Sequence, residues 1–125
     1  MHAGSILVSA MMLCTSAATL ASDYPARPVR IVVPIGPGSS MDIIARVLGQ
    51  KLNELWGQPV IVDNRAGAGG TIGIALVAKA PPDGLTLGVV STGHVVNPVL
   101  YANLPYDTIK DFAGVAPLAN LPSVL

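Results

Sequence analysis

Three short runs rich in Gly, Ser, Thr, Pro and Asn, at residues 34–42, 63–71 and 91–97, hold the groups best suited to grip a small anion. Gly36, Pro37, Gly38, Ser39, Ser40, Met41 and Asp42 make up most of the first run. Gly69, Gly70 and Thr71 close the second, and Ser91, Thr92, Gly93 and His94 open the third. Glycine lets a backbone N–H approach a ligand with no side chain in the way, and hydroxyls add further donors. A loop that opens a helix also contributes unpaired amides and the positive end of the helix dipole. The same composition serves tight turns and helix caps, and spacing alone leaves both readings open.

Named catalytic and nucleotide motifs fail on inspection. Gly67 and Gly69 begin a G-x-G-x-x-G whose last position is Ile72, and Gly36 and Gly38 fail in the same way at Met41. The lysines, Lys51, Lys79 and Lys110, stand far from these loops, so no phosphate loop of the G-K-[ST] type exists, and no G-x-S-x-G elbow surrounds Ser39, Ser40 or Ser91. Ser91 and His94 could be paired as nucleophile and base, but the sequence places no acidic residue to orient the imidazole. A carboxylate in the first turn of a helix, as Asp42 would be, serves as a cap or as a ligand contact. Arg65, following Asp63 and Asn64, reads as one half of a local ion pair, Arg46 as solvated or paired, and Trp56 as core.

Composition removes other classes. Seven basic residues balance seven acidic ones over 125 residues, and no basic cluster occurs, so neither nucleic-acid binding nor attraction to a membrane surface is expected. Residues 6–13 are nearly all apolar and lead into small residues ending Ala18-Thr19-Leu20-Ala21. This is the pattern of a secretory signal peptide over residues 1–21, cut after Ala21, although the first basic residue is Arg27, where a leader ordinarily carries one near its start. The apolar run falls short of the roughly 18 residues that cross a bilayer, so no stable membrane insertion is expected. Cys14, the one cysteine, lies inside that leader, and His94 is the one histidine after it. Disulfides, a cysteine nucleophile and zinc sites built from several Cys or His are thereby excluded, and no cofactor or metal is expected.

The elements that must position the three loops follow from periodicity. The β-branched run Val29–Val33, halted by Pro34, reads as a strand buried on both faces of a parallel sheet. Ile44, Val47, Leu48, Leu52 and Leu55 recur at helical spacing, with a start at Ser39 and Asp42 and a stop at Gly57 and Pro59. A second strand at residues 60–62, a helix at 72–80 broken by Pro81-Pro82-Asp83-Gly84, and a strand at 85–90 complete a βαβαβ order. Right-handed crossovers make its strands parallel, giving half of a doubly wound α/β sheet. Asn97-Pro98 reads as an N-cap followed by a first-turn proline, opening a short turn through Tyr101, and residues 112–119 and 123–125 read as extended. Three short strands leave edges unpaired, so further sequence is expected to complete the domain.

Several ordered segments together resemble one family. They are Y-P-x-R-P-V-R at residues 24–30, P-I-G-P-G-S-S-M-D at 34–42, and G-Q-P-V-I-V-D-N-R-A-G-A-G-G-T-I-G at 57–73, with P-D-G-L-T-L at 82–87, L-P-Y-D at 104–107 and K-D-F at 110–112. The chain looks like the tripartite tricarboxylate transporter receptors, or Bug-type periplasmic solute-binding proteins. The resemblance implies an α/β lobe of the periplasmic-binding-protein type II kind, one of two lobes that close about a hinge. It also implies a non-catalytic receptor that captures a small organic carboxylate in the periplasm and delivers it to a membrane permease. On that basis residues 22–112 would form part of the first lobe and 113–125 a crossover toward a second. The first loop at Gly36 to Asp42 and the third at Ser91 to His94 would line the cleft, with Gly69, Gly70 and Thr71 bordering it, and family members run to roughly twice this length. Ile35 stands where the family usually has an aromatic, and Ser39 where it has a second glycine. Two alternatives stand beside this reading: a truncated receptor that no longer binds, and a piece of an α/β hydrolase-like enzyme using Ser91.

Overall fold

The computed structural model describes residues 24–120; the leader expected at residues 1–21 and the extended segment expected at 123–125 lie outside them. Strand β1 (Val29–Val33) is followed by helix α1 (Ser40–Trp56), strand β2 (Val60–Asn64), a 3₁₀ turn at Ala68–Gly70, helix α2 (Thr71–Ala78), strand β3 (Thr86–Gly88) and helix α3 (Thr92–Leu100). The strands form a parallel sheet in the order β2-β1-β3, with Val29 opposite Val60 and Ile31 opposite both Val62 and Leu87. The βαβαβ order and the parallel pairing expected from the sequence are both present. The β3 ladder is extended at each end by single bonds, Arg30 N–H to the Leu85 carbonyl at 2.8 Å and Val89 N–H to the Val32 carbonyl at 3.0 Å.

β1 is central because it alone is apolar on both faces. Val29, Ile31, Val32 and Val33 are almost completely removed from water. Ile31 and Val33 pack with Met41 and Ala45 of α1 and with Val89, while Val60, Val62 and Leu87 close the cluster from the flanking strands. Burial on that scale contributes about 1.5–3 kcal/mol for each such side chain. α2 lies against β1 and β3, where Gly88 leaves room for Val77, whose Cγ2 would stand 3.1 Å from any Cβ there.

Two helical expectations need correction. The face of α1 that meets the sheet carries Met41, Asp42, Ala45 and Gly49, whereas Val47 and Leu55 point to solvent. Small residues allow a helix to sit close, and a Cβ on Gly49 would already touch Val60 Cγ1 at 3.4 Å. A stripe drawn through the largest apolar side chains is therefore rotated from the true contact face. The cap expected at Asn97-Pro98 is likewise absent, since both residues lie inside α3, which begins at Thr92 behind the N-cap Ser91. Pro98 simply leaves its i−4 partner, the His94 carbonyl, without that helical bond. Residues 113–120 take no strand or helix, and Val115 is largely exposed.

Ser39 is the N-cap of α1, accepting from Asp42 N–H at 3.3 Å, and Gly57 ends the helix in the left-handed conformation, as the sequence predicts. Trp56 sits at the foot of the sheet, edge-to-face with Tyr24 at 5.6 Å, and Tyr24 donates its hydroxyl proton to the Gly84 carbonyl at 2.7 Å.

Candidate functional site

The three loops leave the carboxyl ends of three parallel strands, so they must emerge on one edge of the sheet. They converge there on a cleft of about 40 Å³. The first loop supplies Pro34, Ile35 and Met41; the second, with the start of α2, supplies Gly69, Gly70 and Ile74; the third, with α3, supplies Val90, Ser91, Gly93, His94 and Asn97. Sites that enclose a small-molecule ligand run to roughly 300–1,000 Å³, so the cleft borders a ligand and does not enclose one. A larger open groove of about 430 Å³ runs along α2 past Thr71, Ile72, Ala75, Leu76, Lys79 and Pro105. It lies on the flank of α2 and lacks a convergent set of polar groups.

Of the residues expected at the site, Met41, Gly69, Gly70, Ser91, Gly93 and His94 line the cleft, while Gly36, Pro37, Gly38, Ser39, Ser40, Asp42, Thr71 and Thr92 do not. Several of these others build its wall. Asp42 is buried and fully engaged: Gly38 N–H donates to Oδ2 at 2.8 Å, Arg46 Nε to the same oxygen at 3.0 Å, and Asn64 Nδ2 to Oδ1 at 2.9 Å. The Arg46 guanidinium foremost, then the Gly38 amide and the Asn64 side chain, hold its carboxyl down to about 2 from an ordinary 3.8, against the opposing effect of burial. Asn64 Nδ2 also reaches the Ile35 carbonyl at 3.2 Å, and its Oδ1 accepts from Arg46 at 3.0 Å. The first and second loops are thus latched by an Asp-Asn-Arg triangle.

The second loop turns back on itself through positive φ at Gly67, Ala68, Gly69 and Gly70. Ala68, at φ 45°, is the residue that tolerates this least, and the turn is held by Gly70 N–H to the Gly67 carbonyl at 2.9 Å and Thr71 Oγ1–H to the Ala68 carbonyl at 2.9 Å. Gly70 and Gly73 lie against Pro34 so closely that a Cβ on Gly73 would stand 2.8 Å from the Arg65 carbonyl oxygen and 3.0 Å from Pro34 Cα.

The arginines near the cleft are paired within the protein. Arg46 is engaged with Asp42 and Asn64, and Arg65 pairs with Asp63 at 3.0 Å. Asp63 also receives Arg30, whose guanidinium is the main reason its carboxyl is held below the usual range. The polar groups that remain at the cleft are neutral: backbone amides, the Ser91 hydroxyl and the Asn97 amide. Ser91 makes no side-chain capping bond to α3. The contact between Ser91 and His94 runs through the backbone, His94 N–H to the Ser91 carbonyl at 2.9 Å. The imidazole instead packs on Tyr106 and Phe112, at centroid distances of 6.1 and 5.0 Å.

Sequence reasoning missed Asn97, which is buried, lines the cleft and donates through Nδ2 to the Gly69 carbonyl at 3.1 Å. Its adjacency to Pro98 mimicked a helix start. A helix read from Ser91 onward would have placed Asn97 on the same face as His94, three residues apart.

A parallel α/β lobe with glycine- and hydroxyl-rich loops meeting over a small cleft is the architecture of periplasmic binding proteins. MatC from Rhodopseudomonas palustris, solved with bound malate, aligns at TM-score 0.71 and 40% identity over 76% of this chain and 33% of its own. A second R. palustris protein, solved with adipate, aligns at TM-score 0.66 and 39% identity over 69% of this chain and 29% of its own. The family model described as "Tripartite tricarboxylate transporter family receptor" matches residues 44–125, and the chain belongs to that family. Among curated relatives, a UPF0065 protein in the tcbD-tcbE intergenic region of Pseudomonas sp. (strain P51) is 48% identical over 93% of this chain and 34% of its own length. Protein BugT of Bordetella pertussis is 44% identical over 84% and 33% respectively. The chain thus spans about a third of the length of the curated relatives it matches, less than the half expected from the resemblance.

Proposed function

We propose that this chain forms the carboxylate-holding wall of an extracytoplasmic solute receptor that delivers a small organic acid to the membrane permease of a tripartite tricarboxylate-type transporter. The observation that carries this reading is the convergence of three loops on one cleft whose lining holds the Ser91 hydroxyl and the Gly69 and Gly93 amides, while every nearby arginine is engaged by an aspartate. Membership of a receptor family supports it, as does the binding of malate and adipate by structural neighbours. Residues 1–21 act as the export leader, 22–112 as part of the first lobe, and 113–125 as the crossover toward the second.

Gly69, Ser91 and Gly93 hold the carboxylate through backbone amides and the Ser91 hydroxyl, while Gly70 and His94, whose amides are given to the Gly67 and Ser91 carbonyls, form the wall together with the apolar Met41. Gly36, Pro37, Gly38, Ser39, Ser40, Thr71 and Thr92 shape the loops, and Asp42 positions the first of them. We read the chain as part of a receptor without catalysis, in keeping with its family, and the His94 imidazole packs on Tyr106 and Phe112.

The test is a titration of the ¹⁵N-labelled chain with malate, adipate and citrate at millimolar concentration, followed by amide chemical shifts, which register weak binding. Saturable shifts confined to residues 34–42, 67–71 and 90–97 are expected. No saturable shift with any of the three acids would overturn the reading.

A further inference from the structure

Asn97 stands out as a buried polar side chain in the cleft wall that the loop pattern does not account for. Only its Nδ2 can donate to the Gly69 carbonyl, which fixes the amide's orientation. Tyr101, one turn on, secures the same contact: its hydroxyl oxygen lies where a Cβ on Gly69 would come within 2.7 Å. α3 is therefore docked onto the second loop with Asn97 locked in place. Oδ1 accepts from none of the described residues and is not one of the sealed, unpartnered polar atoms, so it stays reachable in the wall of the cleft that also carries Ser91 and Gly93.

Resting on the receptor reading above, we propose that Asn97 is a specificity-determining residue. Its Oδ1 selects carboxylates that carry a hydrogen-bond donor, a hydroxyl or ammonium group, next to the carboxyl held by the loops. The physical reason is an asymmetry. A carboxylate oxygen or a bare methylene placed against Oδ1 leaves that acceptor repelled or desolvated without compensation, whereas a donor satisfies it. One well-placed neutral hydrogen bond corresponds to about a three- to tenfold preference.

Malate and succinate differ by one hydroxyl and are the probes, titrated into the ¹⁵N-labelled full chain and into Asn97→Ala. The unmodified chain is expected to bind malate about three- to tenfold more tightly than succinate. Asn97→Ala is expected to bind the two equally, beyond any common weakening from a loosened second loop, which the ligand-free Gly69 and Gly70 amide signals report separately. A purely structural Asn97 would weaken both acids by the same factor and keep the preference, and that result overturns the proposal. Equal affinity for the two acids in the unmodified chain overturns it too, while leaving the receptor reading intact, and stands as a test even if Asn97→Ala does not fold. Binding of neither acid overturns the receptor reading and this inference with it.

Discussion

Asn64 Nδ2 and Asp42 Oδ1 meet at 2.9 Å, tying the last residue of β2 to the first turn of α1. Through this bond, and the one from the same Nδ2 to the Ile35 carbonyl, the first loop is tied at both ends to β2, and the Gly38 amide on the other carboxylate oxygen braces its middle. A loop so anchored holds Ile35 and Met41, its contributions to the cleft wall, in one conformation.

The anchoring has a pH signature. Asp42 is depressed in the folded state, to about 2 from 3.8, so its contribution to stability is complete above its unfolded value and is lost as pH falls from there through about 2. Asp63 and Asp107 are also lowered, chiefly by Arg30 and by the Lys110 backbone amide respectively, and act in the same direction. Urea midpoints measured across this range should fall steadily with acidification. Asp42→Asn should lower the neutral-pH midpoint and flatten the acid limb, because Gly38 N–H and Arg46 would then face an amide. An unchanged acid limb in that variant would show that Asp42 does not carry the effect.

Two glycines in helices should respond with opposite signs to the same change. At Gly49 a Cβ meets Val60 and Val62 side chains at 3.4 and 3.5 Å, ordinary contact, so Gly49→Ala gains helix propensity and should stabilise by about 0.5–1 kcal/mol. At Gly73 the Cβ would collide with backbone atoms of Arg65 and Pro34, which cannot yield without moving the cleft wall. Overpacking then outweighs propensity, and Gly73→Ala should destabilise by about 1–3 kcal/mol. Chemical denaturation of the two variants decides the matter, and equal effects would refute the close approach of α2 to the first loop.

The two serines at helix starts should separate structure from binding. Ser39 caps α1, so Ser39→Ala should cost about 0.5–1 kcal/mol, near the low end for a cap because its bond to Asp42 N–H is long at 3.3 Å. Ser91 makes no capping bond, and Ser91→Ala should leave stability within about 0.5 kcal/mol while weakening carboxylate binding. Thermal melts and the malate titration, run on both variants, give the comparison. A Ser91→Ala chain that loses stability but binds normally would assign Ser91 to the scaffold.

How far these features could be read from sequence depended on residue size. Val29–Val33, the Ser39 cap and the Gly57 stop announce themselves through β-branching, hydroxyl placement and glycine. The contact face of α1 does not, because Ala45 and Gly49 make it by being small, and hydropathy favours the larger Val47 and Leu55 that in fact face water. The loops were legible as a set because strand order in a parallel sheet forces them to one edge. Asn97 was not, since its role depends on Gly69, 28 residues away, and no local pattern encodes that meeting.

Beneath α3, three buried polar atoms have no hydrogen-bond partner in the described chain: His94 Nδ1, Tyr106 Oη and Thr108 Oγ1. Tyr106 is also the best buried of the aromatic rings there, in a T-shaped contact with Phe112 at 5.6 Å. A hydroxyl taken out of water with nothing to bond loses about 1–3 kcal/mol, whereas the ring alone keeps its packing. Tyr106→Phe should therefore raise stability, by about 1 kcal/mol, read from the urea midpoint at constant slope. Tyr106→Ala, which removes the ring as well, should instead lower it by about 3–5 kcal/mol, as large-to-small changes in a packed aromatic site do. A loss of stability in Tyr106→Phe would mean that the hydroxyl is satisfied after all, by an ordered water bridging it to a neighbouring polar group, and would make that water part of the wall behind His94.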